Sequence, residues 1–163
     1  MKPRLFLLDK KPKKVWQAYI KQRTKAATNG CWIWQKAVTN SGYGVVGVQH
    51  DRKRLMTFAH RISYYCFNGP LGQGLQVCHS CDNKLCCNPH HLWLGTRSDN
   101  VRDSHKKGRG RAKLTLKQAR QIRRSYKGTD KHRRELAQKY GVAEVTIDSI
   151  VYGRNWAWID LAN

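Results

Sequence analysis

Residues 77–92 read VCHSCDNKLCCNPHHL and hold four of the six cysteines and three of the seven histidines in the chain. The N-terminal segment ends in charged residues without a cleavage site, so we expect no secretory signal and therefore no disulfide framework. Clustered Cys and His in such a chain indicate a metal site. Structural zinc takes four thiolate or imidazole ligands in a tetrahedron, so the segment predicts a zinc site.

Three of the ligands follow from local spacing. Cys81 and Cys86 bracket a four-residue loop and His91 follows five residues later, so one ligand must come from elsewhere. Cys31 is the best candidate. The competing set is the four cysteines of the segment, but adjacent Cys86 and Cys87 would point in opposite directions in an extended chain. A third interpretation is that the cysteines pack as small apolar residues.

The charge balance points to a polyanionic partner. The 163 residues include 32 Lys and Arg against 10 Asp and Glu, which gives a formal net charge of +22. Such an excess makes a compact fold repel itself unless it meets a partner such as nucleic acid. Hydrophobic residues make up 40% of the chain, which argues against disorder. No apolar run approaches the roughly 18 residues of a membrane span, so we expect an intracellular protein with no membrane partner.

The basic stretch at residues 106–113 lies between two segments that each show the pattern of a folded domain. It has two glycines and no apolar periodicity, and it therefore predicts a linker between a domain at residues 1–105 and a domain at residues 114–163. In the first domain we expect helices and strands around an irregular metal-binding segment: helices over 15–25, 60–67 and from Thr96 or Ser98 to about 107, and strands over 42–48, 55–59 and 92–94. In the second we expect three helices, the first capped by Thr115, the second by Asp130 and the third over 143–152.

A wider set of fixed spacings covers about half the chain. It comprises Cys31-Trp32-Ile33-Trp34, Gly42-Tyr43-Gly44, Ala59-His60-Arg61, residues 79–83, Cys86, Asn88-Pro89, His91-Leu92, Gly95-Thr96, Asp99-Asn100, Asp103 and Lys107-Gly108-Arg109. Together these residues resemble the HNH endonucleases, in the zinc-stabilised ββα-metal (His-Me finger) group that includes phage and intron homing enzymes. The resemblance implies an α+β nuclease domain held by a structural zinc.

The resemblance also implies which residues bind the zinc. The family pattern places its ligands at Cys31, Cys81, Cys86 and His91. In some relatives an Asp precedes the catalytic histidine and serves as a second protein ligand of the catalytic metal, whereas this chain has Cys78 there.

The chemistry implied is phosphodiester hydrolysis. His79 corresponds to the general base, and Asn100 to the residue that holds one catalytic Mg²⁺ or other divalent cation. Asn88 corresponds to the residue that fixes the loop aiming the histidine, and the products carry 5′-phosphate and 3′-hydroxyl ends. From the residues themselves, Arg61 is a candidate to hold the scissile phosphate bidentately. The scarcity of acidic residues independently favours one catalytic metal over two.

The C-terminal part resembles the helix-turn-helix module found at the end of many phage HNH proteins. The signature is Glu135-Leu136-Ala137, Tyr140-Gly141-Val142, Thr146-Ile147, Ile150, Gly153 and Trp156. Such a module presents its second helix to the DNA major groove. The candidate base contacts are Ala143, Glu144, Thr146, Asp148 and Ser149. The candidate phosphate contacts are Arg120, Arg123, Arg124, Lys139 and Arg154, with Arg109 and Arg111 as candidates for a minor groove. The alternative is a three-helix module for protein contact.

The sequence thus predicts a metal-dependent DNA endonuclease of the homing type that acts on double-stranded DNA. The main alternative is a non-catalytic, zinc-containing DNA-binding regulator, and another is a packaging-associated or structure-directed nuclease. One site per chain predicts a monomer that nicks, or a homodimer that cuts both strands. If the protein is phage-encoded, its compartment is the cytoplasm of a bacterial host.

Overall fold

A computed structural model describes residues 12–50, 53–110 and 112–159. Its contacts divide the chain into two compact units, Met1–Asn100 and Val101–Asn163. The described residues form six α-helices and three two-stranded antiparallel sheets, which confirms the predicted mixture of helix and strand. No helix in these ranges combines the length and the apolar character that a membrane crossing requires.

The first unit begins with a helix and two short strands that precede a hairpin. Its elements in chain order are α1 (Lys13–Lys21), β1 (Thr24–Ala26), β2 (Trp32–Trp34), β3 (Val45–His50), β4 (Lys53–Phe58), α2 (Ala59–Phe67), β5 (Gln76–His79), a 3₁₀ helix (Pro89–His91) and β6 (Leu92–Gly95). β1 pairs with β2, β3 with β4 and β5 with β6. The helix expected over 15–25 ends at Lys21, because the Thr24 hydroxyl donates to the Ile20 carbonyl and the chain turns into β1.

One apolar cluster holds these pieces together. Trp16 and Ile20 lie one turn apart on α1, and both are buried against Trp34 of β2, Val46 of β3 and Ile62 of α2. The spacing of four residues on α1 is what places both side chains on one helix face. Because α2 also packs against β5 and β6, this core fixes the sheet that carries His79.

The β5–β6 hairpin continues into α3 (Arg97–Lys106) and completes a β-β-α arrangement. His79 at the end of β5 pairs with Leu92 at the start of β6. The sequence pattern did not predict β5, which lies in the segment expected to be irregular. Thr96 caps α3: its hydroxyl accepts from the Asp99 N–H at 3.1 Å and donates to the Asp99 carboxylate at 2.6 Å.

The second unit contains α4 (Leu116–Ser125), α5 (Asp130–Tyr140) and α6 (Glu144–Val151). Their inward faces share a core built on Ala119, Ile122, Leu136, Ile147 and Ile150, as the helical spacing predicts. Thr115 caps α4, and its N–H and hydroxyl both donate to the Gln118 side chain. The predicted cap of α5 was wrong by one residue: Thr129 accepts from the His132 N–H, and Asp130 is the first helical residue.

The basic stretch at residues 106–113 is partly folded onto its neighbours. Lys106 ends α3, the Arg109 N–H donates to the Ser104 carbonyl, and Leu114 immediately after the stretch is buried in the core of the second unit. Arg111 lies outside the described residues. The division between the two units falls at residues 100 and 101, earlier than the linker predicted from glycine content.

Candidate metal centre and active site

Four side chains converge at one side of the β5–β6 hairpin. The Sγ atoms of Cys31, Cys81 and Cys86 and a ring nitrogen of His91 all lie within 4.8 Å of one another. The structure therefore gathers the four residues that the sequence singled out, and this cluster can hold a metal ion.

Main-chain pairing brings Cys31 to the other three ligands. Cys31 immediately precedes β2, and the segment at residues 85–87 lies alongside that strand. The Trp34 N–H donates to the Leu85 carbonyl at 2.9 Å, and the Cys87 N–H donates to the Trp32 carbonyl at 2.8 Å. These bonds place Cys31 opposite the Cys86 region, although the two are far apart in sequence.

The loop between Cys81 and Cys86 is tightened by its own side chains. Asp82 adopts a left-handed conformation with φ of 61°, which Asp tolerates better than most residues. The Asn83 side chain accepts from the Leu85 N–H at 2.9 Å. The turn consequently directs both thiols to the same side.

The separations fit a tetrahedral metal ion. His91 Nδ1 lies 3.5 Å from Cys31 Sγ and 3.6 Å from Cys86 Sγ. Zinc bonded at about 2.3 Å to sulfur and about 2.0 Å to nitrogen would separate those atoms by about 3.6 Å. The rival set of four neighbouring cysteines is not gathered, because Cys78 and Cys87 donate to main-chain carbonyls instead.

The thiols of the cluster lie close together, two of them buried, and this arrangement favours the binding of a cation. Burial, together with the neighbouring Cys86 and Cys81 thiols, raises the pKa of the Cys31 thiol to about 12. Burial also raises the pKa of Cys86. Three thiols this close ionise together when a metal ion replaces their protons.

Asn88 forms hydrogen bonds with three of the segments that carry the cluster. Its side-chain amide donates to the Gly30 carbonyl at 2.6 Å and accepts from the His90 N–H at 3.0 Å, while its own N–H donates to Cys86 Sγ at 3.4 Å. The chain before Cys31 and the 3₁₀ helix that carries His91 are thereby joined through one buried side chain.

His79 is held by the residue that also supplies a thiol to the cluster. Its Nε2 lies 3.1 Å from the Cys86 carbonyl oxygen. A carbonyl only accepts, so Nε2 carries the proton in this contact and Nδ1 keeps the basic lone pair. Burial lowers the pKa of His79, so the ring is neutral near pH 7, although its contact with Cys86 opposes that shift.

Aromatic rings surround the other face of His79. The ring of His60 lies 4.7 Å from that of His79 and also contacts Phe58 and Tyr43. His60 is 5% exposed, and its Nδ1 has no hydrogen-bond partner among the described residues. No catalytic role was predicted for Tyr43 or His60, although both belong to the spacings that resemble the family.

The remaining predicted catalytic residues lie at the starts of two helices. Arg61 is half-buried in the first turn of α2, next to His60, and burial lowers its pKa. Asn100 is exposed in the first turn of α3, and its N–H donates to the Thr96 carbonyl. Their roles in the reaction stay predictions.

Two of the predicted DNA contacts are engaged within the protein. The Arg123 guanidinium donates to the carbonyls of Ile150 at 2.6 Å and Trp156 at 3.1 Å, so it holds the end of α6 and does not extend to solvent. Glu144 accepts from Arg133 at 2.9 Å, which occupies its carboxylate. Both side chains are thus engaged within the second unit, and their contacts with DNA stay predictions.

The other candidates for DNA contact differ in exposure. Arg109 pairs with Asp103 at 3.3 Å. The exposed candidates are Arg124, Lys139, Arg154 and Ala143, and the half-buried ones are Arg120, Thr146, Asp148 and Ser149.

Comparisons with known proteins agree with this site. Residues 57–102, which include β5, β6, His79 and Asn100, match the family model described as HNH endonuclease. Protein 2.8 of Escherichia phage T7 is 39% identical over 137 residues, which cover 83% of this chain and 91% of that protein. Protein 7.7 of the same phage is 38% identical over 135 residues, covering 79% of this chain and 98% of that protein. No solved structure matches the chain. The chain therefore belongs to the family of the T7 proteins 2.8 and 7.7, and it carries an HNH endonuclease domain within residues 57–102.

Proposed function

We propose that this protein is a metal-dependent endonuclease that hydrolyses phosphodiester bonds in double-stranded DNA. The observation that carries the proposal is the contact between His79 Nε2 and the Cys86 carbonyl, within the part of the chain that matches the HNH model. That contact assigns the proton to one ring nitrogen and leaves the other as a base. The formal net charge of +22 supports DNA as the substrate.

His79 acts as the general base. Its Nδ1 takes a proton from a water molecule, the water oxygen bonds to phosphorus, and the bond from phosphorus to the 3′ oxygen breaks. The 3′ oxygen takes up a proton, so the products carry 5′-phosphate and 3′-hydroxyl ends. Burial, which keeps the His79 ring neutral, favours this role.

Asn100 holds the catalytic divalent cation, and Arg61 holds the scissile phosphate. The exposed amide of Asn100 offers an oxygen ligand, and one such ligand suits Mg²⁺, which keeps several of its waters. A divalent cation held there would supply positive charge that stabilises the leaving 3′ oxygen. Arg61 holds the scissile phosphate through its guanidinium group.

We assign zinc to the four-ligand cluster, as a structural ion. Three thiols and one imidazole are a common zinc set, and the measured separations agree with zinc bond lengths. The ion would fix Cys86, whose carbonyl orients His79, so the metal cluster and the base are coupled through one residue. Asn88 then serves the base indirectly, by holding the Cys86 thiol.

The proposal extends to site-specific cleavage of the homing kind, with the second unit as a helix-turn-helix reader. The turn between α5 and α6 supports this, since Gly141 has a φ of 63° that permits a sharp change of direction. The relatives are phage proteins, so the proposed compartment is the cytoplasm of a bacterial host. The protein acts as a monomer or a homodimer.

The test is cleavage of supercoiled plasmid by the full-length protein, with and without Mg²⁺. We expect Mg²⁺-dependent nicked or linear product, and a loss of about 10²- to 10⁴-fold in rate for His79→Ala. His90→Ala is the matched control, because His90 is an exposed histidine of the same segment. Its rate should equal that of the wild type.

Two results would count against the proposal. Cleavage that survives in His79→Ala would remove the base from the mechanism. Tight DNA binding without cleavage in Mg²⁺, Mn²⁺ or Ca²⁺ would favour the zinc-containing regulator instead.

A further inference from the structure

The outer face of α6 carries a stripe of three side chains, Val145, Ser149 and Tyr152. Their spacing of four and three residues places them on one side of the helix, opposite the buried Ile147 and Ile150. Val145 is 61% exposed and Tyr152 at the end of the helix is 64% exposed. We call this surface the α6 stripe.

The acidic residues of α6 are paired with arginines of α5. Glu144 and Asp148 lie along one flank of the helix, and both are paired with Arg133 of α5, at 2.9 Å and 3.7 Å. The Arg133 guanidinium also contacts Asp130 at 3.1 Å. Arg133, with Arg134 of α5 at 3.8 Å from Glu144, therefore pairs with the acids nearest the stripe and holds them towards α5.

The polar atoms of the stripe are already engaged. The Ser149 hydroxyl donates to the Val145 carbonyl at 2.8 Å. Burial and the neighbouring Tyr152 hydroxyl raise the pKa of Tyr126, so the two phenol groups lie near each other. What the stripe offers to a partner is consequently the valine methyl groups and an aromatic ring.

The second unit as a whole is strongly basic. Residues 101–163 contain 16 Lys and Arg against six Asp and Glu. A partner must therefore combine negative charge with apolar groups that a helix can reach. Double-stranded DNA does so in its major groove, where phosphates line the edges and each thymine presents its 5-methyl group.

We propose that the α6 stripe reads thymine methyl groups in the DNA major groove, with Val145 and Tyr152 as the contacting residues. This inference rests on the proposed function, since it names the feature of the DNA substrate that the second unit selects. It moves base recognition away from Glu144 and onto residues that the sequence pattern had not singled out.

The test exchanges thymine for uracil, which removes only the 5-methyl group. Full-length protein without Mg²⁺ selects its preferred duplex from a random pool, and each thymine of that duplex is then replaced by uracil in turn. Losing one buried methyl contact costs about 0.8 kcal/mol, so we expect about a fourfold rise in Kd at one position or more. In Val145→Ala or Tyr152→Ala the same replacement should cost nothing further, because the contact is already absent.

Val15→Ala is the matched control, since Val15 is a 48% exposed valine on α1. It should keep the full effect of uracil. The inference is overturned if no uracil weakens wild-type binding, if the protein selects no preferred duplex, or if the fourfold effect persists in both variants. The last result would leave the stripe as a protein-contact surface.

The inference and the nuclease proposal fail separately. Plasmid cleavage by the wild type without any effect of uracil would overturn only the inference. An effect of uracil that depends on Val145, in a protein that does not cleave, would overturn only the nuclease. The replacement in DNA tests the wild type directly, so a variant that fails to fold does not decide the outcome.

Discussion

His60 combines near-complete burial with a titratable ring. Burial, together with the adjacent charges of His79 and Arg61, lowers its pKa to about 3. In the unfolded chain the pKa is near 6.5. Between these values the unfolded state binds a proton that the folded state does not, so stability falls as the pH falls.

We therefore expect the wild type to lose stability progressively from about pH 6.5 towards pH 3, with up to about 1.4 kcal/mol per pH unit arising from His60. His60→Phe keeps an aromatic ring against Phe58 and Tyr43 and should show a flatter dependence. Urea unfolding at a series of pH values measures the difference. His90→Ala, at an exposed histidine, should follow the wild-type curve, and equal slopes for His60→Phe and the wild type would contradict the argument.

At the scale of elements, periodic patterns predicted most helices and the β3–β4 hairpin. The spacing of Ala119 and Ile122 on α4 predicts which helix face is buried, and both residues lie in the core of the folded protein. β5 was missed because Cys78 and His79 carry no strand signal of their own, and pairing with β6 decides their conformation.

Part of the candidate site could likewise be predicted from local spacing, whereas the rest depends on contacts between distant segments. Cys81, Cys86 and His91 follow from local spacing. Cys31 was only the best of several candidates in the sequence, and the fold decides for it because main-chain pairing of β2 brings it to the cluster. The ring contacts of His60 with His79 join separate elements, α2 and β5, so no sequence window contains them. The engagement of Arg123 with the end of α6 is equally non-local.

Because its ligands come from different segments, the cluster should depend on its metal for stability. We expect one zinc ion per chain. A chelator that removes this ion should lower the melting temperature of the protein, and no second zinc ion should be released. Cys31→Ser should lose the ion, because serine does not replace a thiolate ligand. Zinc release to a chromogenic chelator, with thermal unfolding in parallel, measures both effects.

Cys78→Ser is the control for that experiment. Its buried thiol already donates to the Gln76 carbonyl, and a hydroxyl can make the same bond. This variant should retain one zinc. Loss of zinc from Cys78→Ser with retention in Cys31→Ser would favour the rival set of neighbouring cysteines.

At the scale of the whole molecule, positive charge belongs to both units. Residues 1–100 contain 16 Lys and Arg against four acids, and residues 101–163 contain 16 against six. A chain that neutralises several phosphates releases their counterions, so its DNA affinity falls steeply with salt. If both units bind DNA, we expect a loss of about 10³- to 10⁵-fold between 50 and 200 mM salt.

Substitutions of two arginines in the second unit should show which of them contacts DNA and which stabilises the fold. Arg154→Ala, at an exposed position, should reduce the slope of log K against log salt by about one, because one phosphate contact is lost. Arg123→Ala should leave that slope unchanged and destabilise the second unit by about 2 kcal/mol, since carbonyls at the end of α6 lose their donor. Salt titrations of DNA binding beside thermal unfolding distinguish the two. A reduced slope and an unchanged melting temperature for Arg123→Ala would place its guanidinium on DNA after all.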